Sequence, residues 1–139
     1  MKWSIQQLRK LPTPYHFSDT IDFSEWIKSV DDIISIDKVE VTGDISKIDE
    51  ETFRFVYQFV ANMELQCALT LRPVPYVIDL TCDEVYSKVD SDDYFLIEKN
   101  TVDLDEMVWT NILLEKPINV TLPKLINQKF EIVKSYLQN

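Results

Sequence analysis

Thr52-Phe53-Arg54-Phe55-Val56-Tyr57-Gln58-Phe59-Val60-Ala61-Asn62-Met63-Glu64-Leu65-Gln66-Cys67 decides the fold. Phe53, Phe55, Tyr57, Phe59, Ala61, Met63, Leu65 and Cys67 take every odd position, and Thr52, Arg54, Gln58, Asn62, Glu64 and Gln66 take most of the even ones. Side chains of a strand alternate between two faces. This pattern therefore predicts one long antiparallel strand with an apolar face and a wet face. The rings of Phe53, Phe55, Tyr57 and Phe59 are bulky enough to fill the interior they face.

The elements on either side follow from it. Asp49-Glu50-Glu51 is a turn into the strand, so 33–48 and 52–67 form a hairpin. Val39, Val41 and Ile45 share one side of the first arm, with Gly43 as a bulge or bend. Tyr76, Ile78, Leu80 and Cys82 alternate on even positions, predicting a third strand after a Pro73-Val74-Pro75 turn. Strands this long curl into a strongly twisted sheet or part-barrel.

Nearer the N-terminus, Ser4 and Gln7 form a capping-box pair for a short helix over 5–10, ended by Pro12 and Pro14. Phe17, Ile21 and Phe23 alternate as a strand, and Ser24 caps a brief helix carrying Trp26, Ile27 and Val30. Within the polar, acidic stretch 87–101, Tyr94 to Ile97 make a short edge strand. After Pro123, the spacing of Ile126, Phe130, Val133 and Leu137 predicts an amphipathic helix over 124–138.

Residues 103–117 read as a late capped helix. Asp103 is the N-cap, Glu106 completes a capping box, and Asp105 adds negative charge at the positive end of the helix dipole. Leu104, Met107, Val108 and Ile112 form one stripe with Asn111 inside it. Trp109 and Leu113 fall on another side, and Pro117 stops the helix. The fold class is α+β. A single domain over 1–139 holds a long-stranded, twisted antiparallel sheet packed by the late helix, with short helices at both ends.

Composition narrows the function. Gly43 is the sole glycine among 139 residues, which excludes Gly-rich phosphate loops and dinucleotide fingerprints. No run of 18 apolar residues marks a membrane span, and the N-terminus lacks the apolar core of a secretory signal. The expected compartment is the cytoplasm. Net charge is −10, and residues 79–106 hold ten acids against Lys88 and Lys99. Nucleic-acid backbones are bound by cations. An acidic chain suits a basic protein partner instead.

No catalytic set is legible, and no metal or cofactor is expected. Cys67 and Cys82 lie on apolar strand faces about six residues, or roughly 20 Å, apart along the ladder. That is too far for a disulfide or a shared zinc, so they read as buried thiols. His16 stands alone. Asp90, Asp92 and Asp93 lack the glycine and terminal glutamate of a calcium loop and read as a solvated acidic loop. Trp109 beside Leu113, near that acidic segment, reads as a protein-contact patch. The competing reading has a helix such as 124–137 covering it. Trp109, Leu113, Asp90, Asp92 and Asp93 are thus the candidate partner contacts.

Taken in order, Asp103, Leu104, Val108, Ile112, Leu113, Leu114 and Pro117 resemble a signature of the YceD-type large ribosomal RNA subunit accumulation proteins. The stretch Glu64-Leu65-Gln66-Cys67-Ala68-Leu69-Thr70-Leu71 resembles the family's cysteine marker. Met1-Lys2-Trp3-Ser4 and Val39-Glu40-Val41-Thr42-Gly43 look like its shorter, cysteine-poor Gram-positive branch. The resemblance spans about 1–120, with 124–138 as an extra helix. Thr70 stands where many relatives place a second cysteine, and Asn111 where they place an acid. The resemblance implies structural roles for Cys67, Asp103, Leu104, Val108, Leu114 and Pro117. It also implies a non-enzymatic function in accumulation of large-subunit ribosomal RNA, through a basic ribosomal or assembly protein, with association to pre-ribosomal RNA indirect. The alternative from another class is a half-barrel binding a small ligand on the concave face of 53–67.

Overall fold

Every odd-numbered side chain from Phe53 to Cys67 is buried, as the alternation predicts. The computed structural model describes residues 1–117. In chain order these form β1 (Lys2–Ser4), α1 (Ile5–Lys10), β2 (Tyr15–Ile21), a 3-10 turn (Trp26–Ser29), β3 (Ile33–Ile36), β4 (Val39–Asp49), β5 (Thr52–Gln66), β6 (Pro73–Ser87), β7 (Phe95–Leu96), β8 (Thr101–Asp103) and α2 (Leu104–Glu115). The sequence-predicted helix over 124–138 lies outside the described residues.

The main sheet runs β2-β4-β5-β6-β7, with β3 also paired to β5. β5 is its centre, antiparallel to β4 and β3 on one edge and to β6 on the other. The sheet is mixed rather than wholly antiparallel, because β7 runs parallel to β6 through Tyr86↔Phe95 and Ser87↔Leu96. A separate two-stranded ribbon joins β1 to β8, Lys2↔Asp103 through Ser4↔Thr101. The fold is α+β, with α2 laid on the inner face of the sheet.

The rings named from the sequence are the core. Phe53, Phe55, Tyr57 and Phe59 are all fully buried, as are Val39, Val41, Leu104, Val108 and Ile112. Burying one such side chain contributes about 2 kcal/mol. Trp3, from the ribbon, sits edge-on to Phe17 and tilted against Phe55 at 5.4 and 5.7 Å between ring centres. α1 carries the expected capping box, with Ser4 Oγ accepting from the Gln7 N–H and Gln7 Oε1 from the Ser4 N–H.

Five expectations of detail change. The arm 33–48 is two strands, broken at Asp37 and Lys38, and its irregularities lie at Ile33/Ser35 and Lys47/Asp49 rather than at Gly43. Gly43 holds perfect register between Phe17 and Tyr57, and its role is close approach. Pro73-Val74-Pro75 is strand, paired to Gln66, Leu65 and Glu64. There β6 has no neighbour on its outer side among the described residues, so the missing proline N–H groups break no ladder between them. The turn is Ala68 to Arg72 instead, closed by Leu71 N–H to Cys67 O at 2.9 Å. Ser24 does not cap the helix at Trp26, which is a 3-10 turn without a side-chain cap. The Ser24 N–H instead donates to Asp22 Oδ1 at 2.9 Å. Lastly, α2 has a one-sided cap, Asp103 accepting from the Asp105 N–H at 3.0 Å, while Glu106 lies exposed.

The register separates the cysteines further than expected. Cys82 pairs with Tyr57, ten residues back along β5 from Cys67. At strand rise that is about 33 Å, so the two cannot be bonded to each other.

Candidate functional site

The inward positions of β6 are apolar from Tyr76 to Cys82 and then turn polar at Glu84. The parity of the strand aims Glu84 at α2, where the stripe of Leu104, Met107, Val108 and Ile112 is interrupted by Asn111. Glu84 Oε1 accepts from the Tyr57 hydroxyl at 2.8 Å and from the Tyr86 hydroxyl at 2.9 Å. Glu84 Oε2 accepts from Asn111 Nδ2 at 3.1 Å. The same Nδ2 lies 2.8 Å from Tyr57 Oη and 3.0 Å from Met107 O. Its two hydrogens are shared among three acceptors.

Burial pushes the Tyr57 and Tyr86 hydroxyls well above the ordinary tyrosine range, and the Glu84 carboxylate pushes them further. Both remain neutral donors at neutral pH. Burial also raises the Cys82 thiol, against a hydrogen bond with Tyr57 that favours the thiolate. A thiol held protonated is a poor nucleophile. His16 stands on the outward face of β2 with Nδ1 3.0 Å from Asp44 Oδ1, so it does not meet either cysteine.

Beside this network is an open groove of about 540 Å³ between β6, β7, β8 and α2. Its lining includes the buried Ile97, Val102 and Met107, the half-buried Glu84, Tyr86 and Asn111, and the exposed Phe95, Leu96 and Leu114. Tyr86 stacks on Phe95 at 5.1 Å and meets Phe55 edge-on at 5.4 Å. Charged groups on the groove are Glu84, Glu98, Asp103 and Glu106 against Lys2 and Lys99. Chemically this is a fixed carboxylate behind aromatic walls. It is a place for a cation or a hydrogen-bond donor, not for an anion.

The sequence-predicted contact residues do not come together. Asp90, Asp92 and Asp93 are exposed in the β6–β7 loop. The acids of 79–106 occupy several surfaces. Asp79 and Asp83 point outward from β6, where Asp83 pairs with Arg54, while four others line the groove. Leu113 is exposed, but Trp109 is half-buried. Trp109 stacks on Phe23 at 5.3 Å and meets Trp26 at 5.7 Å, and Phe23 meets Trp26 at 5.2 Å. This corrects the reading of Trp109 as an exposed anchor. Among the described residues the cover comes from Phe23 and Trp26, and the competing helix at 124–137 lies outside the described residues. Trp109→Ala is therefore expected to lower stability by about 2 kcal/mol in urea unfolding, through the lost ring packing. An unchanged midpoint would show a solvated indole.

Of the residues given structural roles by resemblance, Cys67, Leu104 and Val108 are fully buried, Asp103 caps α2, and Pro117 follows its end. Leu114 departs, at 72 % exposed on the groove side of α2. Four-residue spacing places it with Glu106 and Thr110, off the core stripe. Glu84 and Tyr86 were missed from the sequence, although the even series 76, 78, 80, 82 extends to both.

A small α+β domain with a carboxylate-based groove is what the geometry defines. The chain is 31% identical over 126 residues to the uncharacterized protein YlbN of Bacillus subtilis (strain 168), covering 86% of this chain and 73% of that protein. The chain belongs to the YlbN family. No family model and no solved structure matches it. No helix among the described residues is long and apolar enough to cross a membrane.

Proposed function

We propose that this protein is a non-enzymatic ribosome-biogenesis factor of the YceD type. It supports accumulation of large-subunit ribosomal RNA in the cytoplasm by binding a basic ribosomal or assembly protein. The observation that carries this reading is the exposed acidic loop of Asp90, Asp92 and Asp93 beside an acid-lined groove, on a chain of net charge −10. Such a surface repels RNA phosphates and attracts the basic proteins that assemble on them. The resemblance over Asp103 to Pro117 supports the same reading, and that stretch folds as the helix α2. In this reading RNA is reached through the partner. The half-barrel alternative is weaker, because the face of β5 that would hold its ligand is filled by its own rings.

The test is depletion of the protein in its host, with the ratio of large- to small-subunit ribosomal RNA as the readout. The ratio is expected to fall and to recover with the wild-type chain. Reversing Asp90, Asp92 and Asp93 to lysine is expected to slow association with the partner by roughly tenfold at low salt, and less at physiological salt. The dissociation rate should change little, because rim charges act on encounter. Tight binding of naked ribosomal RNA by the purified chain, tolerant of the reversal, would overturn the proposal.

A further inference from the structure

We infer that the groove between β6, β7 and α2 seats a single arginine side chain from an extended basic segment of the partner. Its guanidinium would lie on Phe95 and donate to Glu84 Oε2. The inference rests on the functional reading above and narrows it to one contact.

The acceptor arithmetic comes first. A carboxylate offers about four lone-pair sites, and among the described residues Glu84 has three donors in place, two on Oε1 and one on Oε2. One site on Oε2 is left, and Glu84 lines the groove. The two tyrosines and Asn111 also lock the carboxylate in position, so an incoming donor meets a preorganised acceptor. An apolar side chain in the same place would exclude water from that site without replacing its hydrogen bond. An anion would face Glu84, Glu98 and Glu106.

The walls choose between the two cationic side chains. Phe95 is 54 % exposed, with one face against Tyr86, so a ring face remains for stacking. A guanidinium is planar, stacks on aromatic rings and is weakly hydrated. It tolerates one strong hydrogen bond at the base and others to the rim. A lysine ammonium is strongly hydrated and needs several acceptors at one point, where Glu84 has one to give. The aliphatic stem would run past Leu96 and Leu114, two side chains whose exposure is otherwise unexplained.

The test uses the full chain and a blocked six-residue peptide of alternating alanine and arginine. Its lysine and citrulline counterparts serve as controls, and all are titrated by NMR. Expected are shifts centred on the Phe95 and Leu96 amides and on the Asn111 side-chain amide. Binding should weaken by roughly tenfold with citrulline, which keeps the shape and loses the charge, and by a similar factor in Glu84→Gln. The lysine peptide should bind more weakly than the arginine peptide.

Thr110→Arg serves as the second variant, because Thr110 is exposed on the groove and can change without disturbing the core. It should abolish the groove shifts by filling the seat. Charge removal at Asp90, Asp92 and Asp93 should leave the position of the shifts unchanged.

The inference is overturned if the shifts follow the acidic loop instead, or if Glu84→Gln and Thr110→Arg both bind like the wild type. It is also overturned if the groove is already taken. Without peptide, Thr110→Arg would then move resonances of 118–139, or dissolve a dimer seen by sedimentation. If the groove fails while binding to a basic ribosomal protein still needs the acidic loop, the functional proposal stands and only this contact is lost.

Discussion

Replacing Gly43 with alanine is expected to lower the stability of the fold by about 3 kcal/mol, and valine by more, with both read from the urea midpoint. A Cβ built at Gly43 would lie 2.6 Å from Tyr57 Cβ, 2.6 Å from Val56 O and 2.8 Å from Phe17 Cζ. Two of these three belong to β5 close to its backbone and cannot swing away. Relief would require β4 to move off β5, which breaks ladder hydrogen bonds on the central strand pair.

The opposing effect is small. Removing a glycine restricts the unfolded chain and stabilises by about 0.4–1 kcal/mol where the native site accepts a side chain. Gly43 has no positive φ, so the whole penalty is steric. A midpoint within about 0.5 kcal/mol of wild type would mean that Phe17 and Tyr57 stand further from β4 than they do here, since surface-like tolerance has that size.

The same residue shows why some features were legible and others were not. Alternation over 52–67 could be read because period 2 ties burial to parity locally, and each inward position from Phe53 to Cys67 obeyed it. The Ser4–Gln7 box and the buried stripe of α2 were legible for the same reason. Gly43 was not, because its cause is the pair Phe17 and Tyr57, brought to it by two other strands.

The β1–β8 ribbon joins segments about a hundred residues apart through three-residue strands, too short to leave a periodic signal. The aromatic cluster of Phe23, Trp26 and Trp109 is equally non-local. The sequence placed Trp109 off the main stripe, but could not show what covers it. Proline at 73 and 75 read as a turn because the edge position that excuses it is a tertiary fact. Asn111 was visible inside an apolar stripe. Glu84, its partner, was visible only by extending the parity of β6 past the last apolar residue.

Above pH 10 the fold is expected to lose stability steeply, through the pair of tyrosines that hold Glu84. Their ordinary value is 10.0, and in the fold both are raised well above it by burial and by the Glu84 carboxylate. In the unfolded chain they ionise at the ordinary value. Above pH 10, therefore, the unfolded state releases protons that the native state keeps, and stability falls as pH rises. The contribution is fully present below about pH 10 and drains away towards the raised native values.

Each tyrosine contributes a slope of about 1.4 kcal/mol per pH unit while only the unfolded form titrates. Two of them together remove about 3 kcal/mol per pH unit over that range, a large fraction of the total stability of a domain. The Cys82 thiol, also raised by burial, adds in the same direction from a lower pH.

Tyrosinate absorbance and circular dichroism, followed together, check this. Exposed members of the six tyrosines should ionise gradually, while Tyr57 and Tyr86 ionise in one step that coincides with loss of structure. Tyr57→Phe should shift that step to higher pH, even though it removes a hydrogen bond and lowers stability at pH 7 by about 1 kcal/mol. Gradual ionisation of every tyrosine with the fold intact would mean that water reaches the Tyr57 hydroxyl. Glu84 would then lack the fixed setting that makes it a preorganised acceptor for a partner's cation.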